Sequence, residues 1–521
     1  MRPTGAPAST GPDPPVPALA ETANDVPRLW RGGAVPLNTV LMGARTLVIF
    51  AVGFVMLPLL IHRLGGSATG LFVFATTLTG YLTAVELGVA TSVTKYVAEF
   101  RALGAHERMN SMLRGSLLLM IGIGLLVGLA LTVFALLAGR SLFAHPPVRG
   151  QVVATMLVAA ATALLYWPSR MGTAMLEGLE RYDQRAIVAI VVTTLMLAGV
   201  WALTFATHSI PVLAAYFGAM MVLEGVVCAA IAWRRVGVMP NTGSWRARDL
   251  RSVITFGGGL FIIGLADTAI YSLDRLIVAA FVGALAIVAY EVALRPQSAV
   301  RMISALAAGA LVSTISRLAA EEQRERLRKL ALAGSFIGLV ITLPWVVLVL
   351  VLAKPMIAAW VGHSYVRYAV YAQIFVVYWV TGANTGVLGA FVFGMSNIRI
   401  FVILTTIGGV VSLGLSIGMT AAFGTVGVIW GTVIPSVIGF PLWFHFALRR
   451  AGVTAREYGR SVALPAYGLL VPWTALVWAA SRLIAPSGLV GVGAFGVAAL
   501  ALWACAAARP SLRHWRDALS G

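Results

Sequence analysis

The sequence predicts an all-α protein that crosses a membrane about 14 times, with two similar lobes of six helices followed by two extra helices. Three observations predict this fold class: serial apolar stretches, an alternating distribution of Arg and Lys, and an internal repeat. A helix rises about 1.5 Å per residue, so about 20 apolar residues cross the roughly 30 Å hydrocarbon core of a bilayer. Fourteen such stretches lie near 38–61, 71–95, 115–139, 151–177, 186–207, 210–233, 253–281, 284–314, 330–353, 366–394, 398–422, 424–448, 461–484 and 488–508.

Residues 1–34 differ in composition from the chain that follows. They are rich in proline, contain few large apolar side chains and end at a basic patch with Arg28 and Arg31. Such a segment cannot bury enough apolar surface to fold. We expect a disordered cytoplasmic tail without a cleavable signal peptide.

The chain carries a formal net charge of +19, which in a soluble protein would suggest binding to nucleic acid. Here Lys and Arg concentrate in the tail and in alternate loops, for example between Arg234 and Arg251 and between Arg317 and Lys329. Cytoplasmic loops of membrane proteins carry this excess of basic residues. The distribution predicts a multi-pass protein with both termini in the cytoplasm, in contact with membrane lipids and with no nucleic-acid partner. The fourteen spans and the absence of a cleavable signal together predict the bacterial cytoplasmic membrane.

The sequence resembles itself at an offset of about 216 to 218 residues. Leu64-Gly65-Gly66 corresponds to Val282-Gly283-Ala284, and Gly178 corresponds to Gly394. Six spans per repeat give both copies the same orientation, as in carriers that work by alternating access. The repeat predicts an N-terminal lobe at 35–235, a cytoplasmic linker at 236–252, a C-terminal lobe at 253–450 and two additional helices with a short tail at 451–521.

Short motifs occur at the ends of several spans: Arg63-Leu64-Gly65, Leu87-Gly88-Val89-Ala90, Lys95-Tyr96-Val97-Ala98-Glu99, Glu177-Gly178-Leu179-Glu180-Arg181-Tyr182 and Leu273-Asp274-Arg275-Leu276-Ile277-Val278. These motifs resemble the polysaccharide and O-antigen flippases of the multidrug/oligosaccharidyl-lipid/polysaccharide exporter (MOP) superfamily. The resemblance covers about residues 35 to 450. It implies a V-shaped fold that moves undecaprenyl-diphosphate-linked glycans across the cytoplasmic membrane.

Four arginines within the spans are candidates for substrate binding. A charge near the bilayer centre is costly and normally faces a bundle interior or a wet cavity, and a guanidinium can bind phosphate oxygens in a bidentate manner. We therefore predict a cationic cavity between the lobes for a lipid diphosphate. Its candidate residues are Arg45, Arg275, Arg295 and Arg301. The alternative is that these arginines form buried ion pairs, for instance with Asp274 or Glu291.

Polar side chains at helical spacing form two predicted stripes. Residues three and four apart share a helix face, which groups Asp267, Tyr271 and Asp274 on the seventh span and Thr83 with Glu86 on the second. These stripes are candidates for binding sugar hydroxyls or for coupling to a proton or sodium ion. Glu291, four residues before Arg295, is expected to neutralise it.

Glu224 stands alone among apolar residues of the sixth span. We expect either a proton-coupling site or, preferably, a neutral carboxylic acid hydrogen-bonded to a neighbouring helix.

The sequence favours a transporter over an enzyme. The external loops around 140–149 and 354–367 contain no Asp or Glu, and no P-loop occurs. Cys228 and Cys505 lie in separate apolar spans and support neither a metal site nor a disulfide framework. We expect no cofactor. The alternatives are a cation-coupled multidrug exporter of the same superfamily and, less favoured, a membrane-embedded glycan polymerase or glycosyltransferase; polysaccharide assembly proteins are candidate partners.

Overall fold

A computed structural model describes residues 34–84, 88–142, 146–236, 273–309, 321–394 and 399–519, together with positions 250–251, 253–255, 311, 314–315 and 318–319. Every regular element in this part of the chain is helical. The first seven long helices are α1 (Ala34–Leu64), α2 (Gly66–Ala84), α3 (Val89–Ala102), α4 (His106–Leu142), α5 (Pro146–Gly178), α6 (Tyr182–Ala206) and α7 (Ile210–Val236). The next seven are α8 (Asp274–Phe281), α9 (Ala284–Gly309), α10 (Arg324–Trp360), α11 (Ala369–Gly382), α12 (Thr385–Gly394), α13 (Arg399–Phe423) and α14 (Thr425–Ala451). Two more, α15 (Leu464–Ile484) and α16 (Gly488–Leu519), complete the bundle. We call α1–α7 the N-terminal group and α8–α14 the C-terminal group.

The chain is a multi-pass membrane protein. Within the described residues, ten helices are long and apolar enough to cross a membrane, and a bent pair of helices raises the number to eleven. Most of the predicted seventh span, 253–281, and most of the predicted linker, 236–252, lie outside the described residues, as does the tail before residue 34. The count of fourteen therefore stays a prediction.

Helix lengths follow the offset of the sequence repeat. Helices α4 and α10 contain the third predicted span of each repeat, at 115–139 and 330–353, and both helices are 37 residues long. Gly65 between α1 and α2 and Gly283 between α8 and α9 occupy equivalent positions of the repeat, and both have positive φ, at 81° and 108°. Because only glycine adopts this conformation without strain, it allows the chain to turn between two helices with almost no loop. The prediction that Gly283 separates two helices is confirmed.

The predicted span at 366–394 is present as a bent pair of helices. The structure has a 3₁₀ turn at His363–Tyr368 followed by α11 and α12, which are bent by 56° relative to each other. At the bend, Asn384 donates a side-chain hydrogen bond to the Thr381 carbonyl at 2.8 Å, and Thr385 donates another to the Gly382 carbonyl at 2.6 Å. Such side-chain bonds to nearby carbonyls compete with helical ones and favour a break.

The last two helices pack on the outer side of the C-terminal group. Trp503 of α16 donates its indole N–H to the Val340 carbonyl of α10 at 2.7 Å. Arg328 at the start of α10 forms an ion pair with Glu457, just before α15. Neither helix contributes a described residue to the wall of the central cavity that is described below. Their contacts with α10 lie on the side of the C-terminal group that faces away from this cavity.

The N-terminal and C-terminal groups meet at one end of the bundle, which we call the closed end. A side-chain carbon at Gly70 of α2 would overlap the Ala284 carbonyl of α9, so these backbones touch. Trp360 of α10 donates its indole N–H to the Phe54 carbonyl of α1 at 3.1 Å, and the two rings stack with centroids 4.2 Å apart. A buried apolar cluster that includes Leu57 continues across this contact.

Candidate functional site

A cavity of about 480 Å³ lies between the two groups. Its N-terminal wall comes from α1, α2, α6 and α7, and its C-terminal wall comes from α8 and α9. The lining contains four charged residues, Glu224, Arg275, Glu291 and Arg295. Its size is that of a small-molecule site, and its location between two groups of helices is one at which ligands commonly bind.

Glu291 is the centre of the charged wall. Its side chain is 1% exposed and contacts two guanidinium groups, that of Arg275 on α8 and that of Arg295 one turn further along α9. The Arg295 Nε to Glu291 Oε2 distance is 3.2 Å, an ion contact without hydrogen-bond alignment. Two positive charges thus share one negative charge. Both arginine side chains also remain partly open to the cavity, at 19% and 28% exposed.

The local fold explains this cluster. Gly283 turns the chain between α8 and α9, so residues at similar distances before and after the turn face each other. Arg275 and Glu291, which are 16 residues apart, therefore meet across the helical hairpin. Arg295 comes from the next turn of the same helix and lies close to Gly53 of α1.

A second charge cluster lies in the N-terminal group. Arg185 of α6, at 1% exposed, forms ion pairs with Glu224 of α7 and with Glu177 of α5, the latter at 3.5 Å. Arg45 of α1 and Arg170 of α5 interact electrostatically with this cluster. Only Glu224 among these residues reaches the cavity wall.

This arrangement corrects two sequence-based interpretations. Glu224 accepts a hydrogen bond from the neighbouring helix α6, as expected, but the donor is the Arg185 guanidinium, so an ion pair stands where a neutral acid was expected. Arg185, which falls in the predicted loop between the spans 151–177 and 186–207, is buried within α6. A lone carboxylate in an apolar span, such as Glu224, normally has a partner. Arg185, a basic residue near the end of the preceding span, was the candidate that the sequence offered.

Asp274 lies next to Arg275 in sequence but faces away from the central cavity. Its carboxylate accepts hydrogen bonds from the Tyr290 hydroxyl at 2.9 Å and from the Thr432 hydroxyl of α14 at 2.7 Å. The side chain is 3% exposed and borders a small cavity of about 20 Å³ that Gln297 and Ser436 also line. About 10–15 Å³ is enough for one water molecule, so this pocket has room for a single water or small ion.

The other predicted site residues lie in different parts of the chain's structure. Arg45 belongs to the N-terminal charge cluster, and Arg301 is exposed on α9 outside the cavity lining. Glu86, Asp267 and Tyr271 lie outside the described residues, as does the side chain of Thr83. The predicted cationic cavity thus contains Arg275 and Arg295 of the four arginines, and the expected pairing of Glu291 with Arg295 is confirmed.

The side chains of the cavity wall suit the binding of an anion. Within the described residues, no three His, Cys, Asp or Glu side chains come together as metal ligands would. The cavity offers a positively charged pair of guanidinium groups and a largely apolar opposite wall. Such a cavity can bind an anion that is attached to an apolar group.

Comparison with known proteins identifies a matching family and solved structures of similar fold. A family model described as polysaccharide biosynthesis protein matches residues 37–319. The fold is similar to that of a structure titled lipid II flippase MurJ in an inward closed conformation, with a TM-score of 0.68, 14% identity, and coverage of 89% of this chain and 98% of that chain. It is also similar to an inward-facing multidrug resistance MATE family transporter of the MOP superfamily, with a TM-score of 0.59, 19% identity, and coverage of 82% and 97%.

A third structure, titled as a MOP superfamily transporter from Pyrococcus furiosus, has a TM-score of 0.51 and 18% identity, with coverage of 80% and 96%. At these identities the likeness concerns the fold, and it supports the predicted superfamily architecture. No curated protein sequence matches the chain.

Proposed function

Because the chain belongs to the polysaccharide biosynthesis protein family, we propose that it is a flippase that moves undecaprenyl-diphosphate-linked oligosaccharide across the bacterial cytoplasmic membrane by alternating access. The observation that carries this proposal is the pair Arg275 and Arg295 sharing the buried Glu291 in the cavity wall. A diphosphate is a dianion or trianion with oxygens that match the guanidinium fork. The two guanidinium groups at the cavity wall supply the attraction.

The closed end supports the alternating-access mechanism. Contacts of Phe54 with Trp360 and of Gly70 with Ala284 join the two groups at the end that the charge distribution predicts to be external. Transport then requires these contacts to break while the opposite end closes, as two lobes rock around the cavity. We propose that the lobes are residues 35–235 and 253–450, and that both termini are cytoplasmic.

The pocket at Asp274 is our candidate for ion coupling. A buried carboxylate surrounded by hydroxyl groups can hold a proton or a small monovalent cation. Asp274 of this pocket and Arg275 of the arginine cluster are adjacent residues of α8. Protonation or cation binding there would therefore change the charge next to Arg275, which connects the ion to the substrate site.

A cation-coupled multidrug exporter is the second candidate. The observation that favours it is that the charges lining the cavity, two arginines and two glutamates, are formally balanced, while most other lining residues are apolar. Apolar drugs suit such a wall. The buried pairing of Glu224 with Arg185 removes one of the two negative charges from this balance, so we favour an anionic substrate.

Gene deletion in the host distinguishes the two candidates. For the flippase, deletion causes an undecaprenyl-linked oligosaccharide to accumulate on the cytoplasmic face, and wild-type protein clears it. A variant with Arg275→Ala and Arg295→Ala does not clear it, whereas Arg108→Ala, an exposed arginine of α4, behaves as wild type. Unchanged glycans together with increased drug sensitivity would instead support the exporter.

A further inference from the structure

The central cavity has two chemically different walls. The charged wall belongs to α8 and α9, whereas α1, α2, α6 and α7 supply almost entirely apolar side chains. Four methionines line this N-terminal wall, which we call the methionine wall: Met56, Met196, Met220 and Met221. A T-shaped pair of Phe72 and Phe217, with ring centroids 5.8 Å apart, joins α2 to α7 beside them.

The apolar wall offers few hydrogen bonds to a ligand. Apart from Glu224, its polar groups are the hydroxyls of Thr76, Thr77 and Thr193. The Thr76 hydroxyl already donates to the Val73 carbonyl of its own helix at 3.0 Å. An oligosaccharide placed against this wall would leave many hydroxyls without partners, and each such buried hydroxyl is unfavourable.

An isoprenoid group fits the same wall without this cost. Methionine side chains are flexible and polarizable, so they adapt to irregular apolar shapes. The first isoprene units are covalently joined to the diphosphate and must follow it when it binds Arg275 and Arg295. The methionine wall lies across the same cavity from these arginines.

We propose that the methionine wall is a subsite for the isoprenoid segment next to the diphosphate, while the sugars extend out of the cavity. This inference rests on the proposed function. It means that the protein recognises the lipid carrier rather than the glycan at this site. The cavity then imposes no demand on glycan sequence, because the sugars do not contact the methionine wall.

The test measures binding of water-soluble probes to the full-length protein in nanodiscs, with empty nanodiscs as the background. The probes are inorganic pyrophosphate, dimethylallyl diphosphate and geranyl diphosphate. Each buried methylene group raises affinity about fourfold. We expect geranyl diphosphate to bind wild-type protein about tenfold or more tightly than pyrophosphate.

Two substitutions separate the wall from the anion site. Met196→Gln and Met220→Gln keep the length of the side chain but add an amide, and each should reduce the advantage of geranyl diphosphate about threefold or more while pyrophosphate binding is unchanged. Met196→Leu, which stays apolar, should retain the advantage and controls for folding. Met302→Gln on α9, which does not line the cavity, is the matched control.

Equal affinity for pyrophosphate and geranyl diphosphate would overturn the inference and leave the proposed anion site intact. An advantage that persists in both glutamine variants would also overturn it. Failure of all three probes to bind wild-type protein would instead contradict the proposed diphosphate site itself.

Discussion

Gly53 of α1 lies directly against the guanidinium of Arg295 on α9: a side-chain carbon at position 53 would stand 2.7 Å from Nη1. Helix α1 belongs to the N-terminal group and α9 to the C-terminal group, so this contact crosses the cavity. The absence of a side chain at position 53 allows Arg295 to lie at the interface while it contacts Glu291. One glycine therefore contributes to the position of a charged group on the opposite wall.

Gly53→Ala should weaken binding of inorganic pyrophosphate. The added methyl group must displace the Arg295 guanidinium, which disturbs its ion contact and its aim into the cavity. We expect affinity to fall about threefold to tenfold, corresponding to about 1 kcal/mol. Gly43→Ala in the same helix is the matched control, because nothing lies within 4 Å of a side-chain carbon there. Equal weakening by both substitutions would show that α1 tolerates no alanine and that the Arg295 contact is irrelevant.

Glu291→Gln should tighten pyrophosphate binding and lower stability. The substitution leaves two guanidinium charges without their shared counter-ion, so the positive charge of the cluster increases. Removing one partner of a buried ion pair lowers the free energy of unfolding by roughly 3–5 kcal/mol. Because both arginines are partly exposed, we expect a loss of at most about 3 kcal/mol. Thermal unfolding and a pyrophosphate titration measure the two effects. Glu107→Gln, an exposed acid of α4, should change neither; weaker pyrophosphate binding by Glu291→Gln would argue against a cationic binding site.

Asp274→Asn should uncouple transport from the ion gradient. Asparagine keeps an oxygen that accepts the hydrogen bonds of Tyr290 and Thr432, but it cannot take up a proton or carry the negative charge that attracts a cation. We expect transport in proteoliposomes to lose its acceleration by an imposed proton or sodium gradient, while pyrophosphate binding changes by about threefold at most. A gradient response identical to that of wild type would place the coupling elsewhere.

Gly70→Ala should weaken the closed end. The obstructing group is the Ala284 carbonyl, which is part of a helix backbone and cannot rotate away. The population of the state open at this end should rise about tenfold for each 1.4 kcal/mol by which the contact is weakened. The measurement is the rate at which a membrane-impermeant thiol reagent labels Met56→Cys, a cavity position, in a variant that also carries Cys228→Ser and Cys505→Ser. Gly122→Ala, which has open space around it in α4, is the matched control, and labelling as slow in Gly70→Ala as in that control would rule out this role.

The sequence predicted most of the membrane helices and one contact within a helix. Apolar length predicted the membrane helices, and the spacing of four predicted the pairing of Glu291 with Arg295. Arg275 could have been added to this pair, since Gly283 stands midway between Arg275 and Glu291 and a tight helical turn brings such positions together. The alternative of buried ion pairs with Glu291 included this contact, but helical spacing within one span could not single out Arg275 as the partner.

Contacts between distant helices could not be predicted in this way. Phe54 and Trp360 are 306 residues apart, and neither has a periodicity that marks the other as its partner. The predicted spans 151–177 and 186–207 leave Arg185 in a loop, and a basic residue at a helix end usually marks the membrane surface. Its burial depends on Glu177 and Glu224 from two neighbouring helices, which only the packing of α5, α6 and α7 brings together.

Transbilayer movement of a fluorescent polyprenyl-diphosphate oligosaccharide in proteoliposomes tests the central claim most directly. The flippase account predicts that wild-type protein exposes the labelled glycan on the opposite leaflet much faster than protein-free vesicles do. With Arg275→Ala and Arg295→Ala combined, the rate should fall about thirtyfold or more, since losing charged partners in a buried site costs about 2 kcal/mol or more. A wild-type rate equal to that of protein-free vesicles, or a rate that the double substitution leaves unchanged, would contradict the account.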